Sequence, residues 1–325
     1  MTTRRVLAGA ALAVTMLAAA PGDLPKAPPS IAKERRDKET YFRDNPWSPL
    51  RAFARYDFAP AEAGKPEPNA VVGSAADAAI RFDAPGIAPR QLRITVLPPP
   101  AADRPARFRL DRLAKGAVIR IGGETWPEPA APPAADSRTV DEETVIEIGP
   151  FALRPYVQAD AGILIEFDRR RTEGAAFIAP VWYDADPAWV FEAPLRRYEK
   201  PETRSLLTSL NRRKEYLAVG WFDLKRPDGA PLKVQVYEPT FLANGADHLS
   251  ILFTDETTGR ETYGAGRYLD LAPPRDGLYT VDFNRAYNPL CAYTPVYNCP
   301  IPPRENALPV PVRAGEKIWP GHAPH

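Results

Sequence analysis

Apolar and polar positions alternate with a period of two along much of the chain after Ala70. Runs of β-branched and aromatic residues recur there, and most are bounded by Gly, Pro, Asp or Asn, which is typical of half-buried antiparallel strands. The runs read QLRITVL, RFRL, AVIRI, ETVIEI, GILIEF, YLAVGWFDL, LKVQVYE, HLSILF, GRYLDL and LYTVDF. No long amphipathic helix separates them, which argues against a parallel βαβ sheet. We therefore predict an all-β protein with two antiparallel β domains, a sandwich-like one followed by a second β-rich one.

One helix is expected before the strands begin. The segment IAKERRDKETYFRDN is rich in strong helix formers, Ser30 can cap its start, and Pro46 forbids its continuation. These signals predict a helix over 31–43. We interpret its charges as a solvated face and expect Tyr41 and Phe42 to pack on the body of the protein, with partner binding as the alternative.

The first twenty residues, MTTRRVLAGAALAVTMLAAA, have the three parts of a secretory signal. Arg4 and Arg5 precede an apolar run over 6–17, and small residues lead to a cleavage site after Ala20. The general form favours the Sec route over the twin-arginine route, while Pro21 keeps an uncleaved signal anchor as an alternative. We therefore predict that the protein is exported, either to a periplasm or out of the cell.

Length and charge limit the number of domains and the classes of partner that are expected. Because 325 residues exceed the usual size of one domain, two domains are expected. We predict a signal peptide over 1–20, a linker and helix over 21–69, a β-sandwich over 70–172 and a C-terminal β domain over 173–325. The 42 Lys and Arg residues balance the 41 Asp and Glu residues, which removes the electrostatic argument for a nucleic-acid partner. Apart from the anchor alternative, no integral membrane domain is expected.

The sandwich region resembles a forkhead-associated domain. The resemblance rests on VVGSAADAAIRFDAPGIAPRQLRITV, followed by RFRL and AVIRIGGETW. In that family an Arg, a Ser and an Asn contact the phosphopeptide. Here Ser74 stands at the Arg position, Ala88 and Gln91 occupy the loop, and Gly122-Gly123 replaces the Asn-Gly turn. The resemblance therefore implies the fold, and the missing arginine argues against phosphothreonine recognition.

The C-terminal region resembles domain-of-unknown-function family 1684. The motifs lie in FTDETTGRETYGAGRYLDL and VDFNRAYNPLCAYTPVYNCPIPPRENALPVPVRAGEK. The middle of the chain departs from the family pattern, because AWVFEAPLRRYEKPETR replaces a Phe-rich, proline-containing stretch. The resemblance supplies fold and position, and it implies no settled activity.

Polar residues in this signature are the candidate ligand-binding set. Glycines free the backbone around one group, and the other group follows a predicted strand, where polar side chains gather at the rim of a sheet. The set comprises Arg260, Glu261, Tyr263, Arg267, Asp282, Asn284, Arg285, Tyr287 and Asn288. Arg and Tyr can bind a carboxylate, a phosphate or a sugar. The alternative is structural: Arg267 and Arg285 pair with Asp270 or Asp282 and hold loops in place.

The sequence gives less support for an enzymatic function than for ligand binding. Five acids of the signature could supply the carboxylate pair of a hydrolase: Asp255, Glu256, Glu261, Asp270 and Asp282. The histidines are His248, His322 and His325, too few for a multi-histidine metal site, and no phosphate-cradling or dinucleotide motif is present. We therefore expect neither a metal nor a cofactor.

Cys291 and Cys299 form a C-x7-C pair. In an exported chain this spacing predicts a local disulfide, and two thiols alone cannot close a tetrahedral zinc site. Three functions follow from the sequence. The first is an exported protein that binds a small polar or anionic ligand or a glycan at the C-terminal domain. The alternatives are a structural or interaction module without a ligand and a carboxylate-dependent hydrolase.

Overall fold

The computed structural model describes most of the chain in two compact units. Unit 1 comprises Met1–Val14 and Arg51–Ala175, and unit 2 comprises Thr15–Leu50 and Ala176–His325. The described residues are 3–5, 25–60, 64–99, 106–127, 136–158, 161–226, 228–240 and 248–322. The apolar run and the cleavage site of the predicted signal lie outside them. None of the described helices is long and apolar enough to cross a membrane.

Unit 1 is built from strands. In chain order its described strands are β1 Thr3–Arg5, β2 Ala52–Pro60, β3 Asn69–Gly73, β4 Ile80–Arg81, β5 Leu92–Leu97, β6 Arg107–Arg112, β7 Arg120–Ile121, β8 Glu124–Thr125, β9 Ser137–Val140, β10 Ile146–Ile148, β11 Phe151–Gln158 and β12 Ala161–Asp168. One sheet has the order β1-β2-β12-β11-β10-β7-β8, and the other has the order β4-β3-β5-β6-β9. All pairs are antiparallel except β3 with β4.

The two sheets of unit 1 share a single apolar core. Tyr56 and Leu164 of the first sheet and Ile94 and Phe108 of the second are fully buried in one cluster. Period-two strands with one buried face each form a core in this way when two sheets stack. The predicted all-β class and the sandwich-like architecture of this region are confirmed.

Strand β2 lies within 21–69, which the sequence interpretation assigned to a linker and a helix. Its sequence, AFARYDFAP, contains no β-branched residue but has three aromatic ones, which also favour strands. The strand pairs with β12, and Ala54, Tyr56 and Phe58 are buried. Aromatic strand formers and a partner strand therefore act together in this segment.

Unit 2 begins with helix α1, Pro29–Asp44, which confirms the predicted helix. Pro28 is the N-cap residue and makes no side-chain capping bond, so Ser30 lies inside the helix rather than capping it. Pro29 at the first helical position needs no N–H partner, which suits this start. The helix turns Ile31, Arg35 and Phe42 inward, and it ends at Asn45 before Pro46.

The rest of unit 2 is a second β structure. Its described strands are β13 Val190–Ala193, β14 Arg196–Leu207, β15 Arg213–Lys225, β16 Pro231–Pro239, β17 Ser250–Asp255, β18 Arg267–Asp270, β19 Tyr279–Asp282 and β20 Ala307–Leu308. The main sheet has the order β14-β15-β16-β17-β18, β20 pairs with β17, and β13 pairs with β19. Val234, Ile251, Phe253, Val281 and Phe283 are fully buried in its core.

The chain that follows β19 brings the signature residues to α1. Asp282 accepts a hydrogen bond from the Asn284 backbone N–H, which starts a short 3₁₀ turn over Phe283–Arg285. Tyr287 then bridges Tyr268 of β18 through paired backbone hydrogen bonds of 2.9 Å. These contacts fix the path of residues 284–290, which lie against the inner face of α1.

Candidate functional site

A cleft of about 330 Å³ lies between α1 and residues 284–290, and we call it the α1 cleft. Its lining residues are Ile31, Glu34, Arg35, Lys38, Phe42, Trp182, Asn284, Arg285, Ala286, Tyr287, Asn288 and Leu290. Apolar side chains from both walls surround a few charged and amide groups. Binding sites for small molecules commonly have this composition.

Arg35 is the most unusual residue of the α1 cleft. Its side chain is buried, at 3% exposure, and lies over the ring of Trp182 at 5.7 Å. Its Nε and Nη2 have no hydrogen-bond partner, and Nη1 makes one long bond, 3.5 Å, to the carbonyl of Pro25. Burial lowers the pKa of Arg35, and the carboxylates of Asp184, Asp282 and Glu316 oppose that shift. The Arg35 guanidinium is therefore a buried cation with two nitrogen donors, Nε and Nη2, that have no acceptor.

Lys38 stands one helical turn further along α1 and is fully engaged. Its ammonium is 2.7 Å from Oε2 of Glu316, a carboxylate with 0% exposure. The rings of Phe42, Tyr287 and Tyr293 surround it at 5.2–5.7 Å. These are cation–π contacts as well as an ion pair. Lys38 therefore has its partners already and closes one end of the cleft.

Arg285 forms a second charged contact between α1 and residues 284–290, the two walls of the cleft. Its Nε donates to Oδ2 of Asp282 at 3.2 Å, its Nη1 to the carboxylate of Glu34, and its Nη2 to Oγ of Ser30 at 3.2 Å. Glu34 and Ser30 belong to α1, so this arginine attaches the signature segment to the helix. Its side chain is about one third exposed, which places it at the rim.

Asn288 offers an unfilled acceptor. Its Nδ2 donates to the carbonyl of Lys317 at 2.7 Å, which fixes the orientation of the amide, and its backbone N–H donates to Oε2 of Glu316 at 2.8 Å. Its Oδ1 is buried without a partner. Neighbouring Tyr287 donates to Asp270 at 2.8 Å, and burial raises the pKa of its hydroxyl. Two residues that line the α1 cleft, Arg35 and Asn288, therefore have buried polar atoms without hydrogen-bond partners.

Arg267, a predicted ligand residue, is structural instead. Its side chain is wholly buried, and it donates to Oδ2 of Asp255 at 2.8 Å. It also donates to the carbonyls of Val312 at 2.8 Å, Ala314 at 2.5 Å and Glu316 at 3.2 Å. The arginine thus holds the C-terminal segment 312–316 to β17. Arg267 therefore fits the structural alternative from the sequence, in which an arginine pairs with an acid to hold loops in place. Its partner is Asp255 rather than Asp270 or Asp282.

Glu261 and Arg260 also lie away from the α1 cleft. Arg313 donates to both carboxylate oxygens of Glu261 at 2.8–3.2 Å, and Tyr183 donates to Oε2 at 2.9 Å. These bonds lower the pKa of Glu261 to about 2, and burial with the Glu261 bond raises the pKa of Tyr183 to about 12. Arg260 is exposed and donates to the backbone carbonyl of Glu256. A hydrolase needs one acid with a raised pKa, and Glu261 has the opposite shift.

Three further predicted ligand residues hold the backbone. Asp282 accepts from the backbone and side-chain N–H groups of Asn284 at 3.0 and 2.9 Å. Asn284 bonds both the N–H and the carbonyl of Asp186, at 2.8 and 2.9 Å. Tyr263 is buried with its hydroxyl 3.4 Å from the carbonyl of Cys291. Four residues of the predicted set line the cleft: Asn284, Arg285, Tyr287 and Asn288. Of these four, only Asn288 has an unfilled polar atom.

The cysteine pair does not form the predicted disulfide in this structure. Both thiols are free, and the backbone N–H of Cys291 donates to Sγ of Cys299 at 3.3 Å. Hydrogen bonding from Cys299 lowers the pKa of the Cys291 thiol, and the same bond with burial raises that of Cys299. The loop is closed by bonds from Ser209 to the Tyr297 carbonyl and from Cys299 to Ser209, so its shape does not depend on a sulfur–sulfur bond. Among the described residues, no group of three or more acidic, histidine or cysteine side chains is placed to hold a metal.

The sequence interpretation missed the α1 wall. Residues 31, 35, 38 and 42 follow the three- and four-residue spacing of one helix face, so Arg35 and Lys38 share a face with Ile31 and Phe42. The signal for this wall in the sequence was the presence of two cations between apolar residues on one helix face. The interpretation of the helix charges as a solvated face included these two cations.

Comparison with known proteins places the C-terminal region. Residues 175–317 match the family described as "Protein of unknown function (DUF1684)". An uncharacterized protein of Haloarcula marismortui, solved by NMR, is 37% identical over 45% of this chain and 80% of its own, with a TM-score of 0.36. The MEK1 FHA domain, crystallised with a phosphothreonine peptide of HOP1, is 9% identical over 34% of this chain and 94% of its own, with a TM-score of 0.22. The search of the curated proteins gave no match.

Proposed function

We propose that this chain, which belongs through residues 175–317 to the DUF1684 family of unknown function, binds a small carboxylate in the α1 cleft. The proposal keeps the anionic ligand expected from the sequence and moves its main contact from the signature arginines to α1. It is a proposal about binding, and it assigns no reaction.

The unpartnered edge of Arg35 carries the proposal. Nε–H and the adjacent Nη2–H lie on the same edge of a guanidinium and point in parallel, so they match the two oxygens of one carboxylate. Buried donors without acceptors are rare in native proteins because each costs about 1–3 kcal/mol. Since Arg35 lines the α1 cleft, an anion in that cleft would supply the missing acceptors.

The surroundings of Arg35 favour a small, partly apolar ligand that carries one carboxylate. Lys38 and Arg285 already have carboxylate partners, so one donor edge is left for the ligand. Ile31, Phe42 and Trp182 are apolar surfaces of the same cleft. A volume of about 330 Å³ lies at the small end of the range of about 300–1,000 Å³ that is typical of small-molecule sites. A glycan would need more polar partners than this cleft offers.

Arg35 is also closed from solvent, which sets a condition on binding. Its unpartnered nitrogens have almost no accessible surface, so a carboxylate reaches them only when the guanidinium or α1 shifts outward. The contacts across the cleft at Lys38 and Arg285 limit that shift to a small one. We therefore expect binding that is slower than diffusion allows.

A thermal-shift and calorimetry experiment tests the proposal with 4-methylpentanoate as the probe. Wild-type protein should bind it, and Arg35→Met should bind at least tenfold more weakly, since a hydrogen bond to a charged group contributes about 1.5–3 kcal/mol. Arg36→Met on the exposed face of α1 is the matched control and should bind like wild type. Equal affinity for the Arg35 variant, or a stronger response to inorganic phosphate or glucose, would contradict the proposal.

We also propose that the protein meets this ligand after export. The arginine pair, apolar run and small residues of the first twenty positions support this proposal. N-terminal sequencing of protein recovered from the periplasm or the medium tests it. A start at Pro21 supports cleavage after Ala20, and recovery in the cytoplasm alone counts against export.

A further inference from the structure

We infer that the ligand of the α1 cleft is a free α-amino acid with an apolar side chain, an inference that rests on the carboxylate-binding function proposed above. The observation that adds to Arg35 is the acceptor on the same cleft. Oδ1 of Asn288, which also lines the cleft, is buried and has no partner, although the backbone N–H and Nδ2 of that residue are both bonded. A simple carboxylate would leave this oxygen unpaired.

An unpartnered acceptor in the same cleft as an unpartnered arginine edge favours a ligand that carries a donor as well as a carboxylate. Ammonium N–H groups fill such an acceptor, and a hydrogen bond between charged and neutral groups is stronger than one between neutral groups. The orientation of Asn288 is set by its bond to the Lys317 carbonyl at 2.7 Å, so Oδ1 cannot exchange places with the amide nitrogen. The pair of orphan groups therefore corresponds to a carboxylate and an N–H donor in one small molecule.

The charge balance of the α1 cleft favours a ligand without net charge. The cations in or against it are Arg35, Lys38 and Arg285, and the carboxylates that act on them are Glu34, Asp184, Asp282 and Glu316. The carboxylates already match or exceed the cations. A further uncompensated anion would meet repulsion in a partly desolvated site, whereas a zwitterion adds no net charge.

The remaining surface of the cleft fits an apolar side chain. Ile31, Phe42 and Leu290 come from the two walls, and Trp182 adds an aromatic surface. Leucine pairs a carboxylate and an ammonium group with a small branched apolar side chain, which matches a small cleft of this composition. We therefore choose leucine as the probe.

Calorimetry on the full-length protein with three matched ligands tests the inference. Leucine and 4-methylpentanoate differ only in the α-ammonium group, and N-acetyl-leucine replaces that group with the amide of a peptide terminus. We expect leucine to bind at least tenfold more tightly than either, because it fills Asn288 Oδ1 and keeps the net charge at zero. In Asn288→Leu the ratio of the leucine affinity to the 4-methylpentanoate affinity should fall towards onefold, because the acceptor for the ammonium group is gone.

Each outcome has a separate meaning. If 4-methylpentanoate binds through Arg35 and leucine binds no more tightly, the amino-acid inference is wrong and the carboxylate proposal stands. Tighter binding of N-acetyl-leucine than of leucine also overturns the free amino acid and points to a peptide C-terminus. If no carboxylate binds, both proposals fail. The ligand comparison uses wild-type protein, so it decides the question even where Asn288→Leu does not fold.

Discussion

Two buried arginines of unit 2 differ in what surrounds their nitrogens. Two nitrogens of Arg267 meet a carboxylate and three backbone carbonyls and its Nε lacks a partner, whereas Arg35 has one long bond to a carbonyl and two nitrogens without partners. A buried cation is tolerated when most of its donors are filled, and it costs free energy when they are not. The same residue type therefore stabilises the fold at one position and leaves a binding group unfilled at the other.

The structural role of Arg267 predicts a large loss of stability on substitution. Arg267→Met would leave Asp255 buried without its cation, so we expect the free energy of unfolding to fall by about 3–5 kcal/mol. Arg260→Met in the same glycine-rich stretch should change it by less than about 0.5 kcal/mol, because that side chain is exposed. Urea unfolding monitored by fluorescence measures both. Similar stabilities for the two variants would return Arg267 to the list of ligand candidates.

Sequence patterns predict these residues only in part. The polar group after β19 was located because side chains collect where a chain leaves a sheet, and Asn288 lies there beside the cleft. The roles of Arg267 and Arg35 could not be read, because each depends on partners brought close by the fold. Asp255 and the carbonyls of 312–316 enclose Arg267, while Arg35 lies under a wall supplied by residues far along the chain.

At the scale of elements, α1 is an integral part of unit 2. One face of it carries Ile31 and Phe42 into contact with the body, and Lys38 reaches a fully buried carboxylate. Helix propensity, Ser30 as the expected cap and Pro46 as the stop predicted that this helix exists. Its inner face escaped prediction because charged residues interrupt the apolar stripe.

The pair of Lys38 and Glu316 makes the docking of α1 measurable. Lys38→Met removes the cation from a carboxylate with 0% exposure, and we expect a loss of about 3–5 kcal/mol. Lys33→Met is the control on the same helix, since Lys33 pairs with Asp37 where both side chains are at least 60% exposed. That variant should lose less than about 0.5 kcal/mol. A cost of under 1 kcal/mol for Lys38→Met, seen by thermal or urea unfolding, would show that α1 docks through its apolar residues alone.

The strands of both units were largely predictable, and β2 shows the limit. The period-two run LKVQVYE became β16, because one buried face is enough to define a strand. The continuous apolar run GILIEF became β12, which is buried on both faces. The sequence interpretation did not predict β2, because its strand signal is limited to three aromatic residues and its pairing with β12 depends on the fold.

At the scale of the whole molecule, the main segment of unit 1 is inserted into the chain of unit 2. Arg51–Ala175 lies between the segment that carries α1 and the remainder of unit 2. The core of unit 1 is formed by its own two sheets. Because an independent core is what a domain needs to fold alone, the fragment 51–175 should unfold in one cooperative transition.

Circular dichroism during heating measures this expectation. The fragment 176–325 is the counterpart, and it should be less stable than unit 2 in the full chain because Glu316 then lacks Lys38. A broad, non-cooperative melt of 51–175 would mean that unit 1 depends on the rest of the chain. A fragment 176–325 as stable as the full chain would mean that α1 contributes nothing to its fold.

The separation of Lys38 from Glu316, 278 positions along the chain, also sets the order in which the protein is completed. At about 5–20 residues per second, the ribosome makes the carboxylate roughly 15 to 55 seconds after the lysine. During that interval the segment 51–175 of unit 1 is synthesised, and the inner face of α1 waits for its second wall. The binding cleft is therefore completed late in synthesis, and a chain that stops before residue 284 carries α1 without the wall formed by residues 284–290.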